Sequence, residues 1–448
     1  MTCFALEHEW VEMTSGSEPV LDSTFAYLDI IVNDRHILDI LDKRGKSVRS
    51  RVLVPLYPLA RWLVSNWWAL FFEPESPYRN ILNYGYFCRH SMRSVGDGFA
   101  FPAFAIHPEG ALTRLEWNQT STTFQNIDYV SEGGAHIERS LVIEGVVDLV
   151  ESVLSRLEAR DVGDEGLLDA WKAIRDIPEE EAEFCEAAAR LGLDPYDLDG
   201  DSARYLIEVW ETLPATVRVD VFSASDFSNL GRTADWVRSG LGKIERDDAS
   251  DGKWKRMRGM IGKGPTGQFP WLEGYRVARE LRGKAGFGDS IPFDLEKAAG
   301  AEFRMLSDEK SLIRGVDALF GVGMHEAPCC YTPKRNKTGQ RFVQARALFD
   351  FLTLEGGQPS VITSAITERQ QASRAFAAEL LAPASLLKQR IGSDAVSENE
   401  ISELADEFQV SEYVISRQIV NHRISSILEP AFEPTERETL DQEMLRRR

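Results

Sequence analysis

The chain predicts an α+β fold: a β-rich N-terminal domain, a helical middle region, and a mainly helical C-terminal domain with a small sheet. Three observations lead there. Short β-branched and aromatic runs bounded by turn residues fill residues 1–143. From Glu144 the apolar residues recur at helical spacing, and residues 245–269 switch from acidic to basic among glycines. At 448 residues the chain is too long for one ordinary core, so about two or three domains are expected. The boundaries read from the sequence are 1–143, a helical region at 144–244, a linker at 245–269, a C-terminal domain at 270–428 and a charged tail at 429–448.

In chain order, Phe25–Val32 is rich in strand formers. Asn33-Asp34 then supplies a two-residue hairpin turn before His36. Val48–Val54 is expected to pair beside it. Pro58 opens an aromatic helix, Leu59–Phe72, which stops before Pro74. Strands are expected at Phe99–Ile106, Leu112–Trp117 and Ile137–Val142. Val146, Val147, Leu149, Val150, Val153, Leu154 and Leu157 then line one helix face. Further helices are predicted from Pro178 to Gly192 and from Ser202 to Leu213, with Pro as a first-turn residue and Gly as a stop. Trp271–Arg282 reads as helix and Ile313–Gly321 as strand.

Composition narrows the function classes. Five cysteines (Cys3, Cys88, Cys185, Cys329, Cys330) are scattered without a CxxC, the usage of a reducing cytoplasm rather than of a disulfide framework. The first residues lack a basic and then apolar leader pattern. The most apolar run, Leu59–Phe72, is too short to span a bilayer, so no membrane partner is expected. A net charge of −20 disfavours a broad nucleic-acid surface, because phosphate contacts need clustered Lys and Arg.

The most informative segment is Arg341-Phe-Val-Gln-Ala-Arg-Ala-Leu-Phe-Asp-Phe-Leu352, followed by Thr367-Glu-Arg-Gln-Gln-Ala-Ser-Arg-Ala-Phe-Ala-Ala-Glu-Leu-Leu-Ala-Pro383. The pair resembles the core of the ImmA/IrrE metallopeptidases, in which an rF-x-x-A-H-E-x-x-H helix precedes an A-N-x-F-A-A-E-L-L-x-P helix. The resemblance spans about residues 270–428 and implies a zincin-like C-terminal domain. In such a site two His one turn apart hold Zn²⁺ and the Glu between them activates water. Here Arg346 and Asp350 stand where the histidines belong, and Ala347 replaces the catalytic Glu. Guanidinium offers no lone pair and Ala347 has no proton acceptor. Glu368 is the vestige of the family's third ligand, or else a first-turn Glu favoured by the helix dipole. The segment therefore predicts no complete catalytic or metal set and no cofactor.

Family members mostly cut helix-turn-helix repressors, so the resemblance implies a bacterial, cytoplasmic stress, mobile-element or phage-defence role. The expected function is that of a pseudoenzyme, a regulatory chain that acts through protein–protein interaction with a repressor, toxin or defence effector. The alternatives are an active zinc endopeptidase with a rebuilt metal site, and a transcriptional regulator. An ion pair between Arg346 and Asp350, with Glu368 as a further counter-charge, is expected in place of the metal.

Other candidates have plainer readings. His8-Glu9 with Glu12, and His325-Glu326 with Cys329, carry fragments of metal spacing, but Pro328 disfavours a helix through the second. Asp197, Asp199 and Asp201 resemble an EF-hand loop that lacks its outer ligands, and an acidic helix start explains them better. Gly262-Lys263-Gly264 lacks the Ser or Thr of a phosphate loop. Lys253–Arg258 is the one basic run. Ser397–Arg423 could be a helix-turn-helix, but six acids against two bases give the wrong sign for DNA. Trp62, Trp67 and Trp68 are candidates for an interface or for core packing.

Overall fold

The computed structural model describes residues 3–428, apart from 14–17, 76–83, 97, 122–125, 165, 248–252, 263–268, 287, 289–291, 300–302, 309–312, 326, 335, 355–356 and 393–394. The tail at 429–448, Glu326, Lys263 and Gly264 lie outside the described residues. The fold is mixed α+β and divides into two compact units: residues 1–240 with 312–316 and 363–370, and the remainder.

The first unit begins with β1 (Phe4–Trp10), α1 (Pro19–Ser23), β2 (Phe25–Val32), β3 (Arg35–His36), β4 (Ile40–Asp42), β5 (Ser47–Arg49) and β6 (Val52–Pro55). Strand β2 pairs antiparallel with β1, β3 and β6. The β2–β3 turn works because Asn33 and Asp34 both take positive φ, 52° and 61°, which matches the strand twist. The expected Val48–Val54 strand is two strands: β6 joins β2, and β5 joins β4 in a separate small sheet with β9 (Ile127–Tyr129). The aromatic helix is likewise two, α2 (Tyr57–Ser65) and α3 (Trp67–Phe72). Asn66 leaves helical geometry between them, and its side-chain amide caps the Trp62 carbonyl at 2.8 Å.

After α4 (Tyr84–His90) come β7 (Ala103–Glu109), β8 (Leu112–Asn118), β9 and β10 (Gly133–Glu138). Of these, β7, β8 and β10 form an antiparallel sheet in the order β10-β8-β7, while β9 belongs to the sheet of β4 and β5. The strand expected at Ile137–Val142 ends at Glu138. There α5 (Arg139–Ala159) begins, because Val142 already belongs to the helical apolar face that continues through Val146, Leu149, Val150, Val153 and Leu157. Gly145 lets this helix lie on β1: a Cβ there would sit 2.7 Å from the Phe4 ring. Helices α6 (Leu167–Arg175), α7 (Glu179–Arg190), α8 (Gly200–Thr212), α9 (Ala215–Ala224) and α10 (Leu230–Ile244) complete the helical region.

The second unit adds α11 (Lys253–Arg258), α12 (Pro270–Lys284), α13 (Leu295–Ala299), β11 (Arg304–Ser307), β12 (Val316–Val322), β13 (Pro328–Thr332), α14 (Lys337–Thr353) and β14 (Ser360–Thr363). It closes with α15 (Glu368–Leu381), α16 (Ala384–Arg390), β15 (Ala395–Val396), α17 (Glu398–Phe408), α18 (Glu412–Asn421) and β16 (Ser426–Ile427). Its sheet runs β11-β13-β12-β14, with β13 parallel to β11 and antiparallel to β12. The stretch expected as linker carries α11, whose Trp254 and Met257 are buried in this unit's core. Helix α14 is the core's centre, buried almost all round from Ala345 to Leu352.

Candidate functional site

Helix α14 starts at Asn336, whose side chain caps the Gly339 N–H, and carries Arg346, Ala347 and Asp350 into the second core. Arg346 is only 2% exposed. A buried guanidinium needs partners, and the neighbouring elements supply them. Its Nε donates to Ser373 Oγ on α15 at 3.2 Å, and a terminal nitrogen lies 3.5 Å from Asp317 Oδ2 on β12. The other oxygen of Asp317 takes Lys334 Nζ at 2.8 Å. Two cations thus share one carboxylate.

One turn on, Asp350 is 1% exposed and accepts a short hydrogen bond from Ser360 Oγ on β14. Ala347 is fully buried between them. Burial, with the nearby Cys329 and Asp350 adding to it, drives the Cys330 thiol well above its usual pKa. The position at which the resemblance would place a first zinc ligand therefore holds a cation. One carboxylate bound by a serine does not make a metal site, so these residues do not fit zinc. Among the described residues no group of three or more His, Cys, Asp or Glu has metal-binding geometry.

Sequence reasoning missed Asp317 and Ser360. Their only signal is that a buried Arg must find an acid, and the pairing is set by a register 29 residues away. Glu368 is exposed at the first position of α15, where the helix dipole favours an acid, and it belongs with Gly110 to the first unit, where the two residues lie in close contact.

The family-like run on α15 also has a structural logic. Buried Glu379 accepts Arg279 Nε at 2.8 Å, Gln418 Nε2 at 3.0 Å and the Ala384 N–H at 3.2 Å, tying α12, α18 and α16 to one side chain. Helices α17 and α18 bury Ile401, Leu404, Phe408, Val414, Ile415 and Ile419 in the same core. Their apolar faces are spent on packing.

The remaining candidates separate. His8 bonds Ser152 through Nε2 at 2.7 Å, while Glu12 pairs with Arg156 and Arg160. His325 is an exposed turn residue, whereas Cys329 is buried in β13 with its thiol pushed up to about 12, first by burial and then by Asp247. Asp199 caps α8 through the Asp201 and Ser202 N–H groups, as an acidic helix start would. Trp62, Trp67 and Trp68 are only 7–8% exposed and pack in the first core, the plainer of their two expected uses. Their indoles are committed internally: Trp62 donates to the Cys88 carbonyl, Trp68 to the Tyr196 hydroxyl, and Trp67 packs edge-on against Trp171. No protein-family model matches this chain, and no curated protein matches it.

Proposed function

We propose that this chain is a catalytically silent, metallopeptidase-like protein that works by binding another protein in a bacterial stress, mobile-element or phage-defence system. The observation that supports this most is the fate of Arg346. A guanidinium buried at the first-ligand position, braced by Asp317 and Ser373, excludes a cation from the space that a zinc would need. Ala347 removes the group that would activate water. What remains is a rigid helix pair on a small sheet, suited to recognition rather than hydrolysis.

Two measurements test it. Metal analysis of the full chain purified without added zinc is expected to show well below one equivalent; stoichiometric zinc that is lost in Asp350→Ala overturns the reading. Incubation with a helix-turn-helix repressor encoded beside this chain is expected to give a stable complex by size-exclusion chromatography. Cleavage of that repressor, seen by intact mass, points instead to an active peptidase.

A further inference from the structure

We propose that the second unit carries a pocket for a small organic monocarboxylate with an apolar body, its carboxylate held by Arg341. The inference goes beyond the protein-binding role and does not rest on it, because neither Arg346 nor Asp350 lines the pocket.

The pocket follows from how α14 begins. Arg341, Gln344 and Ala345 stand at i, i+3 and i+4 and so share one helix face. With Phe293, just before α13, and with Leu380 and Leu381 at the end of α15, they bound a half-open cavity of about 230 Å³. At about 30 Å³ per water this is space for about seven waters, or for a molecule of about ten non-hydrogen atoms. Phe293, Ala345, Leu380 and Leu381 are buried and give it an apolar wall.

Arg341 supplies the charge. One terminal nitrogen donates to Gln409 Oε1 at 2.8 Å and the other to the Phe293 carbonyl at 2.6 Å. Both acceptors are neutral. They hold the guanidinium in place and use two of its five N–H groups. The other three have no acceptor, and the charge has no ion pair, among the described residues. Burial lowers the Arg341 pKa, and the attraction of Asp294 offsets this only in part. A cation drawn partly out of water onto neutral partners gains from an anion that reaches it. Gln344 is half-buried, and its amide has no partner among the described residues, which leaves a donor for a second carboxylate oxygen.

The rim sets the class of anion. Asp294 and Glu296 line it and are exposed, and Asp294 also accepts the Lys297 N–H at 2.9 Å. Two acids beside one cation repel a dianion such as phosphate. Water screens these exposed acids more than it screens the half-buried guanidinium, so a single negative charge is accepted. The apolar wall then favours a hydrocarbon body, which acetate lacks.

The test is isothermal titration calorimetry of the full chain, at constant ionic strength, with 3-phenylpropanoate and with 4-methylpentanoate. Saturable binding with a Kd of about 1 mM or tighter is expected for at least one acid, with acetate, inorganic phosphate and the neutral 3-phenylpropanamide weaker by about tenfold or more. Gln344→Glu sets an internal counter-charge three residues from Arg341, at a position without partners, so it should fold normally and weaken the acid by about tenfold or more. Arg341→Gln should do the same, with circular dichroism reporting its folding. No saturable binding of either acid, an amide that binds as tightly as its acid, tighter binding of phosphate, or unchanged affinity in Gln344→Glu overturns the proposal.

Discussion

At the scale of single residues, the energetic question is how a buried arginine is held. Arg346 reaches Asp317 on a strand and Ser373 on a helix, and it lies one turn from Asp350, itself buried and bonded to Ser360. Breaking a buried pair strands a charge, so Arg346→Met and Asp350→Ala are each expected to cost about 3–5 kcal/mol. Arg346 should couple to both acids: in double-mutant cycles with Asp317→Asn and Asp350→Asn, coupling of about 1 kcal/mol or more is expected from urea unfolding. Simple additivity in both cycles would remove the charge-network account. The Asp317 cycle should show the smaller coupling, because this acid is partly exposed and shares its charge with Lys334.

At the scale of elements, close approach and capping decide stability. Helix α12 meets α15 so tightly at Gly274 that an added Cβ would sit 2.2 Å from the Ala372 carbonyl oxygen and 2.8 Å from the Phe376 nitrogen. Backbone cannot swing aside as a flexible side chain can. Gly274→Ala is therefore expected to destabilise by about 3 kcal/mol or more. A denaturation midpoint equal to that of the parent chain would refute the crossing. Helix α17 begins with a reciprocal capping box between Ser397 and Glu400. Ser397→Ala should cost about 1 kcal/mol, measured in the same experiment.

For the whole molecule, charge governs both solution behaviour and acid tolerance. The net charge of −20, and the acidic excess in residues 397–423, predict no sequence-selective nanomolar binding to duplex DNA at about 150 mM salt, checked by fluorescence anisotropy. Acid lability is predicted to begin in the first unit. Burial, then Arg114 and His90, push His107 down from 6.5 to about 3. Burial alone would raise Glu73, but hydrogen bonds from His90 and Arg89 outweigh it and bring the carboxyl down from 4.5 to about 2. Both folded values lie below the unfolded ones, so below each unfolded value the unfolded chain binds more protons and stability falls with pH. The His107 contribution is complete above pH 6.5 and lost towards about pH 3; that of Glu73 is lost between about 4.5 and 2. Lowering the pH from 7 to 4.5 should cost about 2–3 kcal/mol through His107, and His107→Gln should flatten that slope.

What the sequence determined by itself was local. The β2–β3 hairpin was legible because two adjacent residues that tolerate positive φ stand between β-branched runs. The starts of α7 and α8 were legible because Pro178 and the acid Asp199 act within one turn of the helix they open. The chemical incapacity of Arg346 and Ala347 was legible because it belongs to the side chains wherever they lie. Only the tertiary structure decided that the three tryptophans pack inward, that α2 and α3 part at Asn66, that Asp317 of a distant strand comes within 3.5 Å of the buried guanidinium, and that Arg139 and Arg190 both lie against the Phe72 ring. Each of these depends on partners brought together across tens of residues. Helical and strand periodicity say which face of an element is apolar, but not which distant element will cover it.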